Sequence, residues 1–582
     1  MKNGKSVGVC LKTTEMVCKI ADNILSPLGS TTAENLRAVV ENRTALRTYD
    51  GLWGVKEAFC AALFSEEQNR AMATDGLTDF EQLVYASVTE ALSQTDIDVS
   101  DSRTLFILST TKDNINKCVA CWEQGVESEY DNGVRRLARR IGFTTTPVVV
   151  CNACISGVSA IILAARLLET RQYDRAVVCG AERQGRFIVS GFRSLQALSS
   201  APCRPFDMER CGMNTGEAAA TIILSRAENE RVVPPDVWRI SVGTVRNDAE
   251  QLVAPSKTAE GAWRALSDVV RQTGENGAAF INAHGTATLF NDQMEAVAIG
   301  RSGLSPIPVN AYKSYYGHTM GAAGVLETVL SMAAADQGII LGTRGLDEPG
   351  VKGNLALVKE TKSARCDRFI KMISGFGGCN AALNVVRGRI EQEGATALRQ
   401  RQDAKPKTAH TILICPSGVT VDGTVRSTSF DVRSSAFRGY PRFYKMDALS
   451  RLGFLATEML LEADGEERFR ECEDHAIVLF NRTASRVADR RFFDSISGGV
   501  EGAASPSAFV RTLPNIVCGE IALRNHWHGE TNFVVLPEKD ERLMMQIVQA
   551  TFADTALKTM IAGWLEYEDE QHFEADLKLI RV

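Results

Sequence analysis

Pro147-Val148-Val149-Val150-Cys151-Asn152-Ala153-Cys154 runs directly into Ile155-Ser156-Gly157-Val158-Ser159-Ala160. The first part is an apolar, valine-rich run of strand character, and the second is a series of small residues suited to a closely packed helix. A strand that turns sharply into a helix lifts one side chain out of the sheet. It also aims the first helical N–H groups at whatever binds there, which lowers a thiol pKa and favours developing negative charge. Cys154 occupies that elbow and reads as a nucleophile, against the competing reading of a buried structural cysteine. Residues 147 to 168 are apolar enough to raise a membrane span. Asn152, Ser156, Gly157 and Ser159 interrupt them and Arg166 closes them, which suits a buried strand and helix better.

Two of the 7 histidines strengthen the nucleophile reading. His284 lies in Asn282-Ala283-His284-Gly285-Thr286-Ala287-Thr288, directly after the apolar Ala278-Ala279-Phe280-Ile281. His318 lies in Lys313-Ser314-Tyr315-Tyr316-Gly317-His318-Thr319-Met320-Gly321-Ala322-Ala323-Gly324, where glycines and alanines permit close backbone approach before a helix. A single histidine beside a strand is usually a packed or surface residue, whereas two in glycine-flanked turns point to a site.

The order of these motifs, followed by Gly375-Phe376-Gly377-Gly378-Cys379-Asn380, resembles the β-ketoacyl-acyl-carrier-protein synthases of the thiolase superfamily. Arg204-Pro205-Phe206-Asp207 with Gly212 and Gly216-Glu217 is similar to the family's R-P-F-D…G…G-E segment, and Ser26-Pro27-Leu28-Gly29 to its opening turn. The resemblance spans about residues 16 to 388. It implies an α/β fold, thiolase-like and layered α-β-α-β-α with duplicated halves: 1-235 carrying Cys154 and 236-388 carrying His284 and His318. A Cys with two His suits Claisen condensation. The thiolate holds one acyl group as a thioester, a second thioester loses CO2, and two imidazoles donate to the enolate oxygen.

By the same resemblance, His284 and His318 hold the malonyl carbonyl and Lys313 supports their hydrogen-bond network. Asp292 and Glu295 are the expected carboxylate supports of His284, and Glu327 that of His318. Phe376 gates the acyl pocket and joins Cys154 in an oxyanion hole. Thr286 and Thr288 meet the phosphopantetheine arm, and Asn380 belongs to the substrate-binding set. The implied partners are an acyl carrier protein, malonyl and acyl thioesters, and a second copy or a related synthase in a dimer. No cofactor is implied beyond the carrier's phosphopantetheine, and no metal. Cys-His-His separates the chain from thiolases, which resemble Cys-His-Cys, although a coenzyme A-dependent thiolase or acyltransferase and a noncatalytic chain-length or scaffold subunit remain the alternatives. Asn152 and Ile155 depart from the family pattern, as does Ala287, which stands where its H-G-T-G-T motif has glycine, and the segment between Ser109 and Val148 is short.

Composition agrees without deciding anything. A chain of 582 residues, 45% hydrophobic with net charge -6, has room for several cores and offers no electrostatic case for nucleic acid. Met1-Lys2-Asn3-Gly4-Lys5 lacks the apolar core of a signal peptide, and 15 cysteines without one suggest a reducing, cytoplasmic compartment. Cys118/Cys121 and Cys151/Cys154 make two C-x2-C pairs, but neither sits in a glycine-rich knuckle of the kind zinc sites use.

Residues 389-408 are polar and read as a linker, and Thr411-Ile412-Leu413-Ile414-Cys415 begins a second unit, 409-582. This unit is an incomplete, noncatalytic thiolase-like α/β domain whose order echoes the first. Lys445 to Leu461 matches Thr78 to Leu92, Ala476 to Phe480 matches Leu105 to Leu108, and Leu557 to Glu566 matches Arg175 to Glu182. At the elbow position Asn532 to Leu536 is followed by Pro537-Glu538-Lys539-Asp540, with no cysteine. Ser505-Pro506 and Asn515 to Gly519 supply the sequence type the short segment lacks, so the unit is expected to cover a sheet edge or a dimer surface left incomplete there. His526 and His528 read as a packed or exposed pair on one strand face.

Overall fold

The computed structural model describes residues 17–127, 133–227, 236–273, 277–388, 406–497 and 504–582. Residues Met1 to Lys5 and most of the expected linker lie outside the described residues. The first sheet consists of β1 (Val17–Leu25), β2 (Thr104–Ser109), β3 (Val148–Val150), β4 (Arg175–Glu182) and β5 (Ala218–Arg226). Their spatial order is β3-β2-β4-β5-β1, the first three parallel and the last two joined antiparallel. β2, β3 and β5 are buried along their whole length, which explains their predominantly apolar sequences.

The second sheet repeats this plan. It consists of β6 (Trp238–Asn247), β7 (Phe280–Asn282), β8 (Pro308–Asn310), β9 (Arg368–Gly375) and β10 (Cys379–Arg387). The order β8-β7-β9-β10-β6 carries the same sequence of parallel and antiparallel neighbours. A third copy contains β11 (Lys407–Cys415), β12 (His475–Asn481), β13 (Thr531–Val535), β14 (Thr559–Tyr567) and β15 (Phe573–Arg581), ordered β13-β12-β14-β15-β11. β11 starts at Lys407, two residues inside the expected linker.

Helices complete the layers: α1 (Asp79–Leu92), α2 (Ser156–Glu169), α3 (Glu260–Thr273), α4 (Leu289–Arg301), α5 (Ala323–Asp336), α6 (Ala448–Asp464) and α7 (Glu541–Thr551). α1 covers the outer face of the first sheet and α3 that of the second, while α2 and α5 touch both. α1 begins with a Thr78/Glu81 capping box and buries Phe80, Leu83, Val84, Val88 and Ala91 at helical spacing. α2 buries every residue from Ser156 to Leu168. Its crossing with α5 brings backbones together, so that a Cβ on Gly157 would lie 2.8 Å from the Val325 nitrogen.

The third sheet continues the first. β13 runs antiparallel to β3 with Val534 opposite Val150 and Val535 opposite Val149, and the Cys151 N–H donates to Phe533 O at 3.0 Å. The β3 edge is therefore covered, as expected of the C-terminal unit. α7 lies beside α2, and its Leu543, Met544, Ile547 and Val548 join the core that α2 occupies. Buried charges tie the same seam: Arg166 meets Glu530 at 2.7 Å and Asp554 at 3.6 Å, and Arg246 meets Asp554 at 2.7 Å. His526 and His528 depart from the expected strand pair. His526 is a left-handed helix cap at φ 57, and His528 is buried with Nδ1 3.0 Å from Asn247 O.

Candidate active site

β3 ends at Val150, and Ala153–Ile155 makes one 3-10 turn before α2 begins at Ser156. The elbow is tight enough to put Ala153 at φ 49, a region that costs a non-glycine residue roughly 1–2 kcal/mol. Ser156 Oγ holds it, accepting from Asn152 N–H at 2.8 Å and donating to Ala153 O at 2.6 Å. The two histidine turns converge here: donor atoms of Cys154, His284 and His318 lie within 4.8 Å of one another. The imidazoles meet edge to face, with centroids 4.9 Å apart and planes at 80°.

The His318 turn needs its glycines. Gly317 sits at φ 67, where a Cβ would lie 2.2 Å from Thr215 O, and a Cβ on Gly216 would lie 1.9 Å from Tyr316 O. Residues of the first half thus lock the turn of the second. His318 Nδ1 accepts from Met320 N–H at 3.2 Å, which leaves the ring proton on Nε2. That nitrogen and His284 Nδ1 are buried without protein partners among the described residues. Burial foremost, then the positive charge of Lys313, pushes both imidazoles well below their usual pKa. Each is neutral at pH 7 and has one N–H to give.

The thiol behaves differently from the sequence expectation. Burial pushes Cys154 up to about 12, against an opposing pull from Lys313, so the resting group is a thiol and not a thiolate. The carboxylates also work differently. Glu295 accepts from the backbone N–H of His284 at 2.6 Å and of Gly285 at 2.7 Å, and Asp292 from those of Phe206 at 2.7 Å and Ala287 at 3.2 Å. They fix the turn and not the imidazole, because α4 points them back at the N–H groups of the loop that precedes it. Glu327 likewise leaves His318 alone. It pairs with Lys313 at 2.7 Å and with Lys371, while Lys313 Nζ donates to His284 O at 2.6 Å and Lys371 Nζ to Ala283 O at 3.2 Å.

Two buried ionisable groups escaped the sequence reading. Lys371, in the middle of apolar β9, is the second cation on Glu327, and burial lowers its pKa to about 8. A lysine inside Phe369-Ile370-Lys371-Met372-Ile373 was the available signal. Glu182, at the end of β4, accepts from Gly321 N–H at 3.0 Å, Thr111 N–H at 3.0 Å and the Thr111 hydroxyl at 2.9 Å, and burial raises it to about 7.

Thr286 and Thr288 face each other, hydroxyls 2.9 Å apart, next to the exposed Leu289 and Phe290. Asn380 is not brought to the cluster. Cys379 beside it points towards Cys154, so Asn380 takes the other face of β10, where its amide donates to Gly378 O at 3.0 Å. Phe376 is half-buried with its ring 6.2 Å from Phe192, and the loop it begins is held from the C-terminal unit by Asn515, whose Nδ2 donates to Phe376 O at 2.8 Å. That unit also places Val510, Leu513 and Ile516 against Ala153 and Leu252, and Phe509 against Phe192 at 5.1 Å. Asn152, a departure from the family pattern, donates to Thr531 O at 2.9 Å across the seam. The two C-x2-C pairs form no four-thiolate group among the described residues.

Duplicated five-stranded sheets closing on a cysteine and two histidines define a thiolase-like protein. The descriptions "Beta-ketoacyl synthase, N-terminal domain" and "Beta-ketoacyl synthase, C-terminal domain" match residues 23–230 and 239–347, together more than half of the chain. The chain belongs to the β-ketoacyl synthase family. It is 33% identical over 249 residues to 3-oxoacyl-[acyl-carrier-protein] synthase 2 of Rhizobium meliloti (strain 1021), a match that covers 40% of this chain and 59% of that relative. A β-ketoacyl synthase crystal structure from Burkholderia phymatum STM815 superposes with TM-score 0.57 at 23% identity, covering 64% of this chain and 100% of that one. The PfaC keto synthase-chain length factor structure superposes with TM-score 0.77 at 14% identity over 97% of this chain and 78% of that one, so the likeness of fold extends to the third sheet. No described helix is long and apolar enough to cross a membrane.

Proposed function

We propose that the chain is a 3-oxoacyl-acyl-carrier-protein synthase. Cys154 exchanges its proton for the acyl group of an acyl thioester, releasing the donor's thiol, and malonyl-carrier-protein then enters. Loss of CO2 leaves an enolate whose oxygen takes N–H bonds from His284 and His318. Its carbon attacks the acyl carbon, the Cys154 sulfur leaves and is reprotonated, and 3-oxoacyl-carrier-protein departs. The observation that carries this reading is two neutral imidazoles, each with a buried nitrogen that has no protein partner among the described residues, converging within 4.8 Å on one thiol. Neutral rings suit the task, since they stabilise negative charge by donation without protonating the carbanion.

Thr286 and Thr288 line the approach of the phosphopantetheine arm, which the carrier brings, and no other cofactor is required. The C-terminal unit acts as a chain-length partner joined in cis, consistent with its contacts to Phe192, Phe376 and Ala153. A second copy or a related synthase would associate through another surface, since β13 fills the β3 edge. Free thiols at every described cysteine fit a reducing, cytoplasmic setting.

The test is incubation with malonyl-carrier-protein and a panel of acyl-carrier-proteins, following CO2 and the intact mass of wild type beside Cys154→Ala. Acylation restricted to wild type with a 3-oxoacyl product is expected. Turnover on coenzyme A thioesters without CO2 release would replace the reading with a thiolase or acyltransferase, and no acylation at all would replace it with a scaffold subunit.

A further inference from the structure

We propose that the C-terminal unit binds a divalent cation of zinc-like preference through Cys472 Sγ, His475 Nδ1 and the Asp474 carboxylate. The three residues lie where the segment after α6 enters β12. Sγ is 2.8 Å from His475 Nδ1 and 2.9 Å from Asp474 Oδ1, and that oxygen is 2.9 Å from the same nitrogen. Thiol, imidazole and carboxylate thus form a closed triangle of mutually close donor atoms.

Sulfur, nitrogen and oxygen donors converging on one point are the mixed set that a zinc-like cation takes, and an ion at the centre of the triangle would be held by all three. Bond lengths of about 2.3 Å to sulfur and about 2.0–2.1 Å to nitrogen or oxygen need only a modest opening of the triangle. The balance is one proton released from the thiol as the metal–sulfur bond forms.

The surroundings suit such an ion. Thiolate and carboxylate together neutralise its two charges. Cys472 is fixed by its backbone, its N–H donating to His526 O at 3.0 Å and its O accepting from His528 N–H at 2.6 Å. The His475 ring lies against Trp527 with centroids 4.8 Å apart. Cys472 and His475 line a shallow surface cleft in which the arginines Arg468 and Arg581 are accompanied by Asp464 and Glu466, and its opening to solvent leaves a fourth coordination position for water. Lys558 Nζ, 3.5 Å from the other Asp474 oxygen, is largely exposed and free to swing away. Sequence spacing gave no reason to expect the site, since Cys472, Asp474 and His475 follow no zinc-finger pattern.

The test uses the full chain carrying Cys154→Ala, so that the other convergent Cys-His-His group contributes no thiolate. Titration with Co2+ is expected to give a thiolate-to-cobalt charge-transfer band that saturates at one equivalent and is displaced by one equivalent of Zn2+. The band is expected to vanish with Cys472→Ser, and binding to weaken at least tenfold with Asp474→Asn. Absence of the band, or its survival in Cys472→Ser, overturns the proposal. Should Cys472→Ser fail to fold, maleimide labelling decides on the Cys154→Ala chain alone. Zn2+ must slow modification of the Cys472 peptide at least tenfold, and unchanged labelling overturns the site.

Discussion

β4 and β14 end alike. Glu182 accepts from the Thr111 N–H and hydroxyl, and Glu566, at the matching place in the C-terminal unit, accepts from the Arg482 N–H at 2.7 Å and the Thr483 hydroxyl. Burial raises the pKa of both. The difference lies in what each carboxylate holds beyond its own sheet. Glu182 has a further donor in Gly321, on the turn that presents His318, whereas Glu566 braces only the loop after β12. At the elbow the contrast is sharper. The N-terminal sheet puts Cys154 there, and the C-terminal unit puts Lys539, paired with Glu574 and Asp576 at 2.6 Å each. One architecture has kept its braces in both places and its reactive groups in only one, which teaches that the braces belong to folding and the convergence belongs to chemistry.

The largest effect should come from the elbows themselves. Cys154→Ala is expected to abolish acylation and turnover, while Lys539→Ala leaves both within a few-fold, read by intact mass and product formation; a catalytic defect from the second would mean the units are not divided as described. Next come the buried charges at the seam. Arg166→Met leaves Glu530 and Asp554 less compensated and should cost about 3–5 kcal/mol in chemical denaturation. A loss below about 1 kcal/mol, the range of exposed pairs, would show that the C-terminal unit is only loosely attached.

The paired carboxylates give a pH test. Glu182 titrates at about 7 in the fold against about 4.3 in an unfolded chain, so the fold binds the extra proton between those values. Its contribution is complete below about pH 4 and is lost as pH rises through about 7. Wild type should therefore lose stability relative to Glu182→Gln over that window, by a few kcal/mol at most, in denaturation curves taken at pH 5, 6 and 7. Glu182→Gln should also lower turnover, whereas Glu566→Gln should move stability alone; equal kinetic effects would erase the distinction between the two braces.

Phe509→Ala, which removes the ring packed on Phe192, is expected to raise the preference for acyl groups a few carbons longer by about tenfold, the scale of one or two methylenes in an apolar pocket. An unchanged ratio of kcat/KM values across the acyl panel would remove the C-terminal unit from chain selection. The smallest effect concerns Ala287, which stands at φ 63 where the family motif has glycine. Ala287→Gly should stabilise the chain by about 1 kcal/mol through relief of that backbone, measured as a rise in Tm; a fall would mean the methyl packs usefully enough to offset the strain.

Much of the fold and the convergence of Cys154, His284 and His318 were legible because they demand special local sequence. Sharp turns require Gly317 and Gly216, strands buried on both faces require runs such as Val148 to Val150, and a nucleophile must stand at an elbow. What could not be read were partnerships set by folding over long separations. Glu182 meets Gly321 and Lys371 meets Glu327 across sheets, and no spacing encodes either. Asp292 and Glu295 face the loop that precedes their helix, so they accept from its backbone N–H groups and leave the His284 ring alone. Asn380 was misplaced by ignoring strand alternation, and the high pKa of Cys154 by weighing a helix terminus without the burial that outweighs it.

The seam between β3 and β13 also has a consequence in time. During synthesis at about 5–20 residues per second, Val150 leaves the ribosome roughly 20–80 s before its partner Val534. Throughout that interval the N-terminal sheet carries an open, valine-rich edge beside Cys154, the kind of edge that recruits stray strands. The joined arrangement guarantees that the right strand arrives at one copy per copy, but always last. Chaperone dependence of expression, and its relief when translation is quickened after residue 388, would register that wait.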